Sequence, residues 1–225
     1  MRSTISLCLL FLLLCTPVLA GDPDPARCYA DTPGGSILIC PQGDGPSLAS
    51  VGAPITVIIR DADGNACEAV DASRIGIAAI DPGALVLPAG ELTADLPTDA
   101  SGATMISGVP VGGGYSAAGI YVTIDGVPIT NSQLAIEMRS PDIDGNLRVD
   151  AADLDFVATA YHGTYRDGAD LDFNHVVDLY DWGETSLHEC HLHSSASPPA
   201  AEIVSGEIGV FFDPAGTQTG GGMPY

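Results

Sequence analysis

Two twelve-residue acidic segments repeat the same order of oxygen-bearing side chains. The first spans residues 142–153 and the second 170–181, and both follow D-x-D-x-N-x-x-V-D-x-x-D. Side-chain oxygens recur at positions 1, 3, 5, 9 and 12, which is the spacing of an EF-hand calcium loop. Carboxylates crowded this closely repel one another unless a cation lies among them. The repeated pattern therefore predicts two Ca²⁺ sites.

Each loop offers six predicted ligands at equivalent positions. Position 7 contributes only its backbone carbonyl, position 9 binds directly or through water, and position 12 closes the shell. In the first loop the ligands are Asp142, Asp144, Asn146, Arg148, Asp150 and Asp153. In the second loop they are Asp170, Asp172, Asn174, Val176, Asp178 and Asp181.

A helix is expected to follow each loop, since Asp150 and Asp178 stand where a helix N-cap belongs. The first helix has apolar residues at helical spacing, which predict one apolar face formed by Leu154, Val157 and Tyr161. The second helix places Trp182 at the position of Leu154, but polar residues follow it. We therefore expect the second helix to be shorter or less well buried.

Two further loop positions carry structural expectations. Position 6 is usually glycine, because its backbone is left-handed, but here it is Leu147 and His175. A residue with a Cβ costs about 1–2 kcal/mol in that conformation, so we expect either about a tenfold loss of calcium affinity or a relaxed turn. Position 8 is Val149 in one loop and Val177 in the other, and the two are predicted to pair across a short two-stranded contact.

Residues 140–191 resemble the dockerin type I family. The two loops begin 28 residues apart, at 142 and 170, each has Asp at position 12, and neither has an entering helix. The resemblance implies two bound calcium ions and, in cellulose-degrading assemblies, docking onto cohesin domains. Positions 10 and 11, where contact residues such as Ser-Thr are common, are Ala151-Ala152 and Leu179-Tyr180 here. The implied calcium binding therefore carries over better than the implied cohesin partner.

Residues 28–139 consist of short runs rich in Ile and Val, separated by turns rich in Asp and Gly. No helix-length periodic segment interrupts them, so the pattern predicts an immunoglobulin-like two-sheet β-sandwich of about seven strands. The predicted strands are residues 36–40, 55–59, 75–80, 84–87, 103–106, 120–124 and 134–138.

Two segments of this region resemble bacterial immunoglobulin-like domains of the invasin and intimin type. Residues 55–65 form a strand followed by a D-x-x-G-x turn, and residues 98–105 form a T-D-x-x-G-x-x segment that enters a later strand. The resemblance implies the fold and an extracellular setting, and it assigns no active site.

The predicted organisation has four parts. Residues 1–20 have a positive first region, an apolar middle and a small-residue end, which is typical of a secretory signal peptide. The sandwich at 28–139 ends before Ser140-Pro141, and the dockerin-like module follows at 140–193. Residues 194–225 are expected to be a linker and tail, with a strand predicted at 207–214.

The formal net charge of −22 restricts the function. An acidic surface repels nucleic acid and anionic lipid, and a chain without lysine has no Schiff-base or phosphate-loop lysine. No further apolar run is long enough to predict a membrane span. Neither a G-x-S-x-G nor an H-E-x-x-H motif occurs, so we do not expect an enzyme.

Four cysteines lie beyond the predicted signal peptide: Cys28, Cys40, Cys67 and Cys190. In an exported chain this number predicts two disulfides, with all three pairings open. A bond from Cys190 to the N-terminal part would join the two halves. Residues 188–193, His-Glu-Cys-His-Leu-His, could instead bind a transition metal, although the sequence favours a disulfide at Cys190 with solvated histidines.

These features predict a secreted, non-catalytic calcium-binding protein that acts in extracellular or cell-surface adhesion or assembly. Its partner would be a cohesin-like protein or a polysaccharide. The alternative is a carbohydrate-binding accessory protein that uses the β-sandwich. Tyr115, Tyr121 and Trp182 could form a sugar-binding face, but isolated aromatic residues more often belong to a core.

Overall fold

The computed structural model describes residues 21–80 and 85–196. The predicted signal peptide and the predicted strand at 207–214 lie outside the described residues. Over the described ranges the protein is mainly β, as predicted, and two α-helices follow the strands. No helix in these ranges is long and apolar enough to cross a bilayer.

The β-strands all precede the two α-helices along the chain. The strands are β1 (Tyr29–Asp31), β2 (Gly35–Leu38), β3 (Ile55–Ile58), β4 (Ile75–Ala79), β5 (Leu85–Val86), β6 (Ala103–Ile106), β7 (Gly113–Ser116), β8 (Ile120–Ile124), β9 (Val127–Leu134) and β10 (Ile136–Arg139). The helices are α1 (Ala151–Tyr161) and α2 (Leu179–Leu187).

The described strands form three hydrogen-bonded sheets, where two were predicted. Their strand orders are β1-β3-β6, β2-β10-β7-β5 and β4-β8-β9. Strand β9 ends at Leu134 and β10 begins at Ile136, so the chain passes from one sheet to another within one residue. Strand β10 pairs parallel with β2 and antiparallel with β7, which makes it an inner strand.

One hydrophobic core joins all three sheets. Inward-facing isoleucines dominate it, because a β-branched side chain packs well on a pleated surface. A fully buried aliphatic side chain contributes about 1.5–3 kcal/mol. The fully buried isoleucines include Ile37, Ile55, Ile75, Ile106, Ile120 and Ile136.

The predicted apolar runs coincide with strands β2 to β6, β8 and β10. Strands β1, β7 and β9 were not predicted. Strand β1 has only three residues, β7 opens with glycines, and β9 contains Pro128 and several polar residues. Each of these features weakens the sequence signal on which a strand prediction depends.

The two segments that carry the immunoglobulin-like resemblance form the predicted turns. The Asp61 carboxylate accepts hydrogen bonds from the backbone N–H of Asn65 at 2.8 Å, and Asp99 accepts one from Ala103 at 2.9 Å. Gly102 has a positive φ of 76°, and a Cβ there would overlap a backbone carbonyl of the neighbouring segment. Side-chain-capped turns therefore hold the ends of β3 and β6 together.

Candidate metal centres

Each acidic loop brings three carboxylates together, with one oxygen of each lying within 4.8 Å of the others. These residues occupy positions 1, 3 and 12. Those at positions 1 and 12 are fully buried, and those at position 3 are exposed. The first cluster consists of Asp142, Asp144 and Asp153, and the second of Asp170, Asp172 and Asp181. Each cluster has a buried base and an open side, so it could hold a metal ion.

Backbone N–H groups orient the carboxylate at position 1 in the same way in both loops. Asp142 accepts hydrogen bonds from the backbone of Asn146 at 3.1 Å and of Leu147 at 2.7 Å. Asp170 accepts the equivalent bonds at 3.1 and 2.9 Å. The repeated sequence pattern thus folds into a repeated geometry.

The carboxylate at position 12 closes each loop onto its own beginning. In the first loop Asp153 accepts from Ile143 N at 2.7 Å with one oxygen and from Asp150 N at 2.9 Å with the other. Asp181 accepts the equivalent two bonds in the second loop, at 2.7 and 2.8 Å. The residue that would complete the ligand shell also joins the loop to its helix.

The carboxylates at position 9 cap the helices, as predicted. Asp150 accepts a hydrogen bond from Ala152 N at 2.8 Å, and Asp178 accepts one from Tyr180 N at 2.6 Å. This orientation places both outside the three-carboxylate clusters. Binding of the ion by position 9, directly or through a water molecule, stays a prediction.

The asparagines at position 5 lie beside the clusters but present their amide nitrogens. Nδ2 of Asn146 donates to Asp144 at 3.0 Å, and Nδ2 of Asn174 donates to Asp172 at 2.8 Å. Turning either amide by a half rotation would present its oxygen instead. At Asn174 that rotation would break the 2.7 Å hydrogen bond that its oxygen accepts from Val176 N.

The backbone carbonyl of Arg148, the predicted ligand at position 7, is not used by the hydrogen bonds around it. Arg148 forms an isolated antiparallel bridge with Leu192. The hydrogen bonds of this bridge involve Leu147 O and Val149 N, at 3.0 and 2.8 Å, and not the Arg148 carbonyl. The equivalent residue of the second loop, Val176, is exposed.

The position-6 residues have the predicted left-handed backbone, with φ of 66° at Leu147 and 65° at His175. Position 4 is also left-handed, at Gly145 (φ 71°) and Phe173 (φ 62°). The second loop therefore holds two residues with a Cβ in a conformation that costs each about 1–2 kcal/mol.

Replacing His175 with Gly is expected to raise the calcium affinity of the second loop about fivefold, since relief of the left-handed strain gives a net gain of about 1 kcal/mol. The His175 side chain is exposed, so few contacts are lost. Isothermal titration calorimetry with Ca²⁺ measures the change. The matched variant Phe173→Gly relieves the same strain but removes a ring that packs on Arg139, so it should not gain affinity. Equal affinities of His175→Gly and the parent would contradict the strain argument.

The predicted pairing of Val149 with Val177 is wrong. Both side chains are buried, but the backbone of Val149 bonds to the segment that follows α2. Its N–H donates to His191 O at 2.8 Å, and its carbonyl accepts from Cys190 N at 2.9 Å. The returning segment occupies the hydrogen-bonding groups that loop pairing would need.

The buried face of α1 differs from the predicted one by about one residue. Asp153, Val157 and Ala160 are buried, whereas Leu154 is half-buried and Tyr161 is 44% exposed. The helix is turned by the inward-facing Asp153, whose hydrogen bonds fix it beneath the loop. The expectation for α2 is confirmed: it has nine residues against eleven in α1, and Trp182 is exposed.

In the first cluster, burial and mutual repulsion disfavour the charged form of the carboxylates. Burial, and then the charges of Asp153 and Asp144, raise the pKa of Asp142 to about 8. Burial also raises the pKa of Asp153. A cation among these oxygens would replace the bound proton as the source of compensating charge.

The second cluster has an internal counter-charge, Arg139, at the end of β10. Its guanidinium is buried, lies 2.7 Å from the Asp170 carboxylate and packs 4.4 Å from the centre of the Phe173 ring. Tyr165 donates a further hydrogen bond to Asp170 at 2.7 Å. Burial would raise the pKa of Asp170, but the hydrogen bonds from Tyr165 and Arg139 outweigh it and lower that pKa. In the sequence, the signal for this contact was an arginine directly after the predicted strand at 134–138.

The first loop packs against the backbone of the glycines at the start of β7. Gly114 N donates to the Asp142 carbonyl, and a Cβ on Gly113 would overlap the Asp142 carboxylate. The Gly112-Gly-Gly114 run belongs to the Asp- and Gly-rich segments predicted to be turns, but Gly113 and Gly114 begin β7. In the structure its lack of side chains lets a buried carboxylate approach the strand backbone.

The described cysteines are all free thiols, so the two predicted disulfides are not formed. Cys28 Sγ contacts the Asp24 carbonyl at 3.2 Å, and Cys67 Sγ contacts the Gly21 carbonyl at 3.4 Å. Cys40 lies 3.3 Å from Nδ1 of His191, and Cys190 is exposed. Cys40 and His191 therefore contribute to the contact between the N-terminal part and the segment after α2, and Cys190 forms no disulfide there.

Comparison of the chain with models of known protein families gives no match, and comparison with curated proteins gives no significant relative.

Proposed function

We propose that this is an exported, non-catalytic calcium-binding protein of the cell surface or extracellular space. Residues 140–193 would form a dockerin-like module that binds two Ca²⁺ ions, preceded by an immunoglobulin-like region. The observation that supports this best is the repeated cluster of position-1, position-3 and position-12 carboxylates with the same backbone hydrogen bonds in both loops.

The donor set favours calcium over other metals. Carboxylate, amide and carbonyl oxygens are hard ligands, and the loops supply more of them than Mg²⁺ usually takes from protein. Extracellular calcium modules work with dissociation constants of about 10⁻⁴–10⁻³ M, so strained loops such as these can still be occupied outside the cell.

The proposed role of calcium is structural. The position-12 residues Asp153 and Asp181 are ligands, loop-closing acceptors and N3 residues of the capping boxes of α1 and α2. An ion held by them would fix where each helix begins. Calcium would thereby set the relative placement of the two helices and of the surface that they present.

That surface suits a protein partner. Leu179 and Tyr180, at positions 10 and 11 of the second loop, are 68% and 60% exposed, and Leu187 is 76% exposed. Leu179 and Trp182 also line a recess of about 240 Å³ beside α1. Exposed apolar residues grouped in this way are typical of binding surfaces. Adhesion or assembly through a cohesin-like protein is the role we propose for them.

The polysaccharide alternative draws less support from the structure. Tyr115 and Tyr121 lie on β7 and β8, and Trp182 lies on α2. The Tyr115 ring packs closely against Gly168. A flat sugar-binding platform would need these rings side by side on one open face.

Calorimetric titration of the metal-free chain with Ca²⁺ should show two ions bound per chain. Asp144→Ala and Asp172→Ala should each weaken one site by about tenfold or more, because affinity follows the number of charged ligands. Both residues are exposed, so neither substitution should disturb the core. Asp155→Ala, an exposed residue of α1 outside both clusters, is the control with the same charge change.

Circular dichroism during the same titration should show a gain of helix. A folded chain that gives no heat with millimolar Ca²⁺ would refute the proposal, as would equal losses in Asp155→Ala and Asp144→Ala.

A further inference from the structure

We propose that Cys40, Asp44, His188 and His191 form a zinc site, separate from the two acidic loops. One ligand atom of each residue lies within 4.8 Å of all the others. The four residues come from two distant parts of the chain, with Cys40 and Asp44 following β2 and the histidines following α2. The sequence pattern at 188–193 contained two of the four ligands, but their partners could only be found from the fold.

The distances suit a small tetrahedral ion. His191 Nδ1 lies 3.3 Å from Cys40 Sγ and 3.3 Å from Asp44 Oδ2. Zinc with bonds of about 2.0–2.3 Å places its tetrahedral ligand atoms about 3.3–3.6 Å apart. The rings of His188 and His191 are 5.0 Å apart between centroids and nearly perpendicular. Small side-chain adjustments would therefore complete the shell.

The histidines are oriented by hydrogen bonds of the kind that support metal ligands. His188 Nδ1 lies 2.8 Å from the Glu184 carbonyl, which fixes the proton on Nδ1 and leaves Nε2 to bind metal. A hydrogen bond of 2.9 Å from His191 N to His188 O closes the turn between them. The His191 carbonyl is also tied to Val149 N of the first loop.

The other two ligands are held equally firmly. Cys40 is buried, and its backbone forms a bridge with Val111 beside β7. A turn closed by a 3.0 Å hydrogen bond from Gly43 N to Cys40 O returns the chain so that Asp44 lies beside the thiol. The Asp44 side chain is about half exposed, which leaves an entry path for the ion.

The ligand chemistry distinguishes this site from the calcium loops. One thiolate, two imidazoles and one carboxylate are the ligands that Zn²⁺ takes in proteins, whereas Ca²⁺ takes oxygens alone. On binding, the Cys40 thiol loses its proton to solvent and a zinc–sulfur bond forms, with no change of oxidation state. The ion would cross-link the β region to the end of the dockerin-like module.

Cobalt substitution of the full mature chain tests the proposal. With calcium in excess, Co²⁺ should bind one equivalent and give the intense thiolate-to-cobalt absorption band of a tetrahedral site, and Zn²⁺ should abolish that band. Cys40→Ser should remove the band, and His191→Gln should weaken zinc binding by more than about 100-fold, since outer-shell partners alone cost about 10–100-fold. Cys190→Ser is the matched control, because that cysteine is exposed and outside the cluster, and it should leave the band unchanged.

Three results would overturn the zinc site. One is a folded chain with a titratable Cys40 thiol and no cobalt band. Another is a band that survives in Cys40→Ser or disappears in Cys190→Ser. The third is a disulfide that consumes Cys40 in the protein as produced. Circular dichroism of each variant identifies unfolding, and His191→Gln provides a second ligand variant if Cys40→Ser does not fold. Calcium binding by the acidic loops is measured separately, so the two proposals can fail independently.

Discussion

Replacing Arg139 with Met is expected to destabilise the calcium-free protein by about 3–5 kcal/mol, because it leaves a buried carboxylate without its counter-charge. Arg139 is 1% exposed and lies 2.7 Å from Asp170, which is itself fully buried. Methionine keeps most of the volume and loses the charge and the hydrogen bonds. The free energy of unfolding in denaturant, with calcium chelated, measures the loss.

Two further variants, and measurements with added calcium, test whether the unpaired charge of Asp170 causes the destabilisation. Arg139→Met combined with Asp170→Asn should recover part of the loss, since no buried charge is then left unpaired. Saturating Ca²⁺ should also reduce the loss, because the ion brings positive charge next to Asp170. Arg74→Met removes a 2.7 Å ion pair with Asp125 that is exposed, so it should cost about 0–1 kcal/mol. Similar losses for Arg139→Met and Arg74→Met would contradict this account.

Replacing Gly113 with Ala is expected to weaken calcium binding at the first loop about 5- to 150-fold while leaving the second loop unchanged. The added Cβ would lie 2.7 Å from Cγ of Asp142, so the carboxylate at position 1 must move. Forcing one extra carbon into a packed site costs about 1–3 kcal/mol, which corresponds to that range of affinity. Calorimetric titration resolves the two sites if only one of them weakens.

Gly183→Ala is the control for the Gly113 variant. Gly183 lies within α2, and a Cβ there meets no atom within 4 Å. That substitution should stabilise the helix by up to about 1 kcal/mol and leave both calcium affinities unchanged. If both calcium affinities are unaltered in Gly113→Ala, then packing against Gly113 of β7 does not position Asp142.

Features that depend on neighbouring residues could be predicted from the sequence. The helix caps at Asp150 and Asp178 and the left-handed backbone at Leu147 and His175 all follow from chemistry within one loop. The apolar runs likewise identify seven of the described strands, because burial requires their pattern wherever the strand lies in a sheet.

Contacts between distant segments could not be predicted in this way. The pairing of Arg139 with Asp170, the seating of Asp142 on Gly113 and the approach of His191 to Cys40 all depend on sheet order and on the return of the chain after α2. The composition and the spacing of residues do not reveal the order of strands in a sheet or the path of the chain after α2. The face of α1 was missed for a related reason, since the buried carboxylate of Asp153 and not the apolar residues sets its rotation.

The direct passage from β10 into the first loop has a mechanical consequence. Ser140 and Asp142, which follow β10, are both buried, so no exposed hinge separates the sheet from the loop. Strand β10 is hydrogen-bonded on both sides, to β2 and to β7. Tension applied through the helices therefore acts along the axis of β10, an inner strand of its sheet. The hydrogen bonds on both sides of this strand are then loaded in shear. Pulling the helices away from the sheet would therefore require several backbone hydrogen bonds of β10 to break at once.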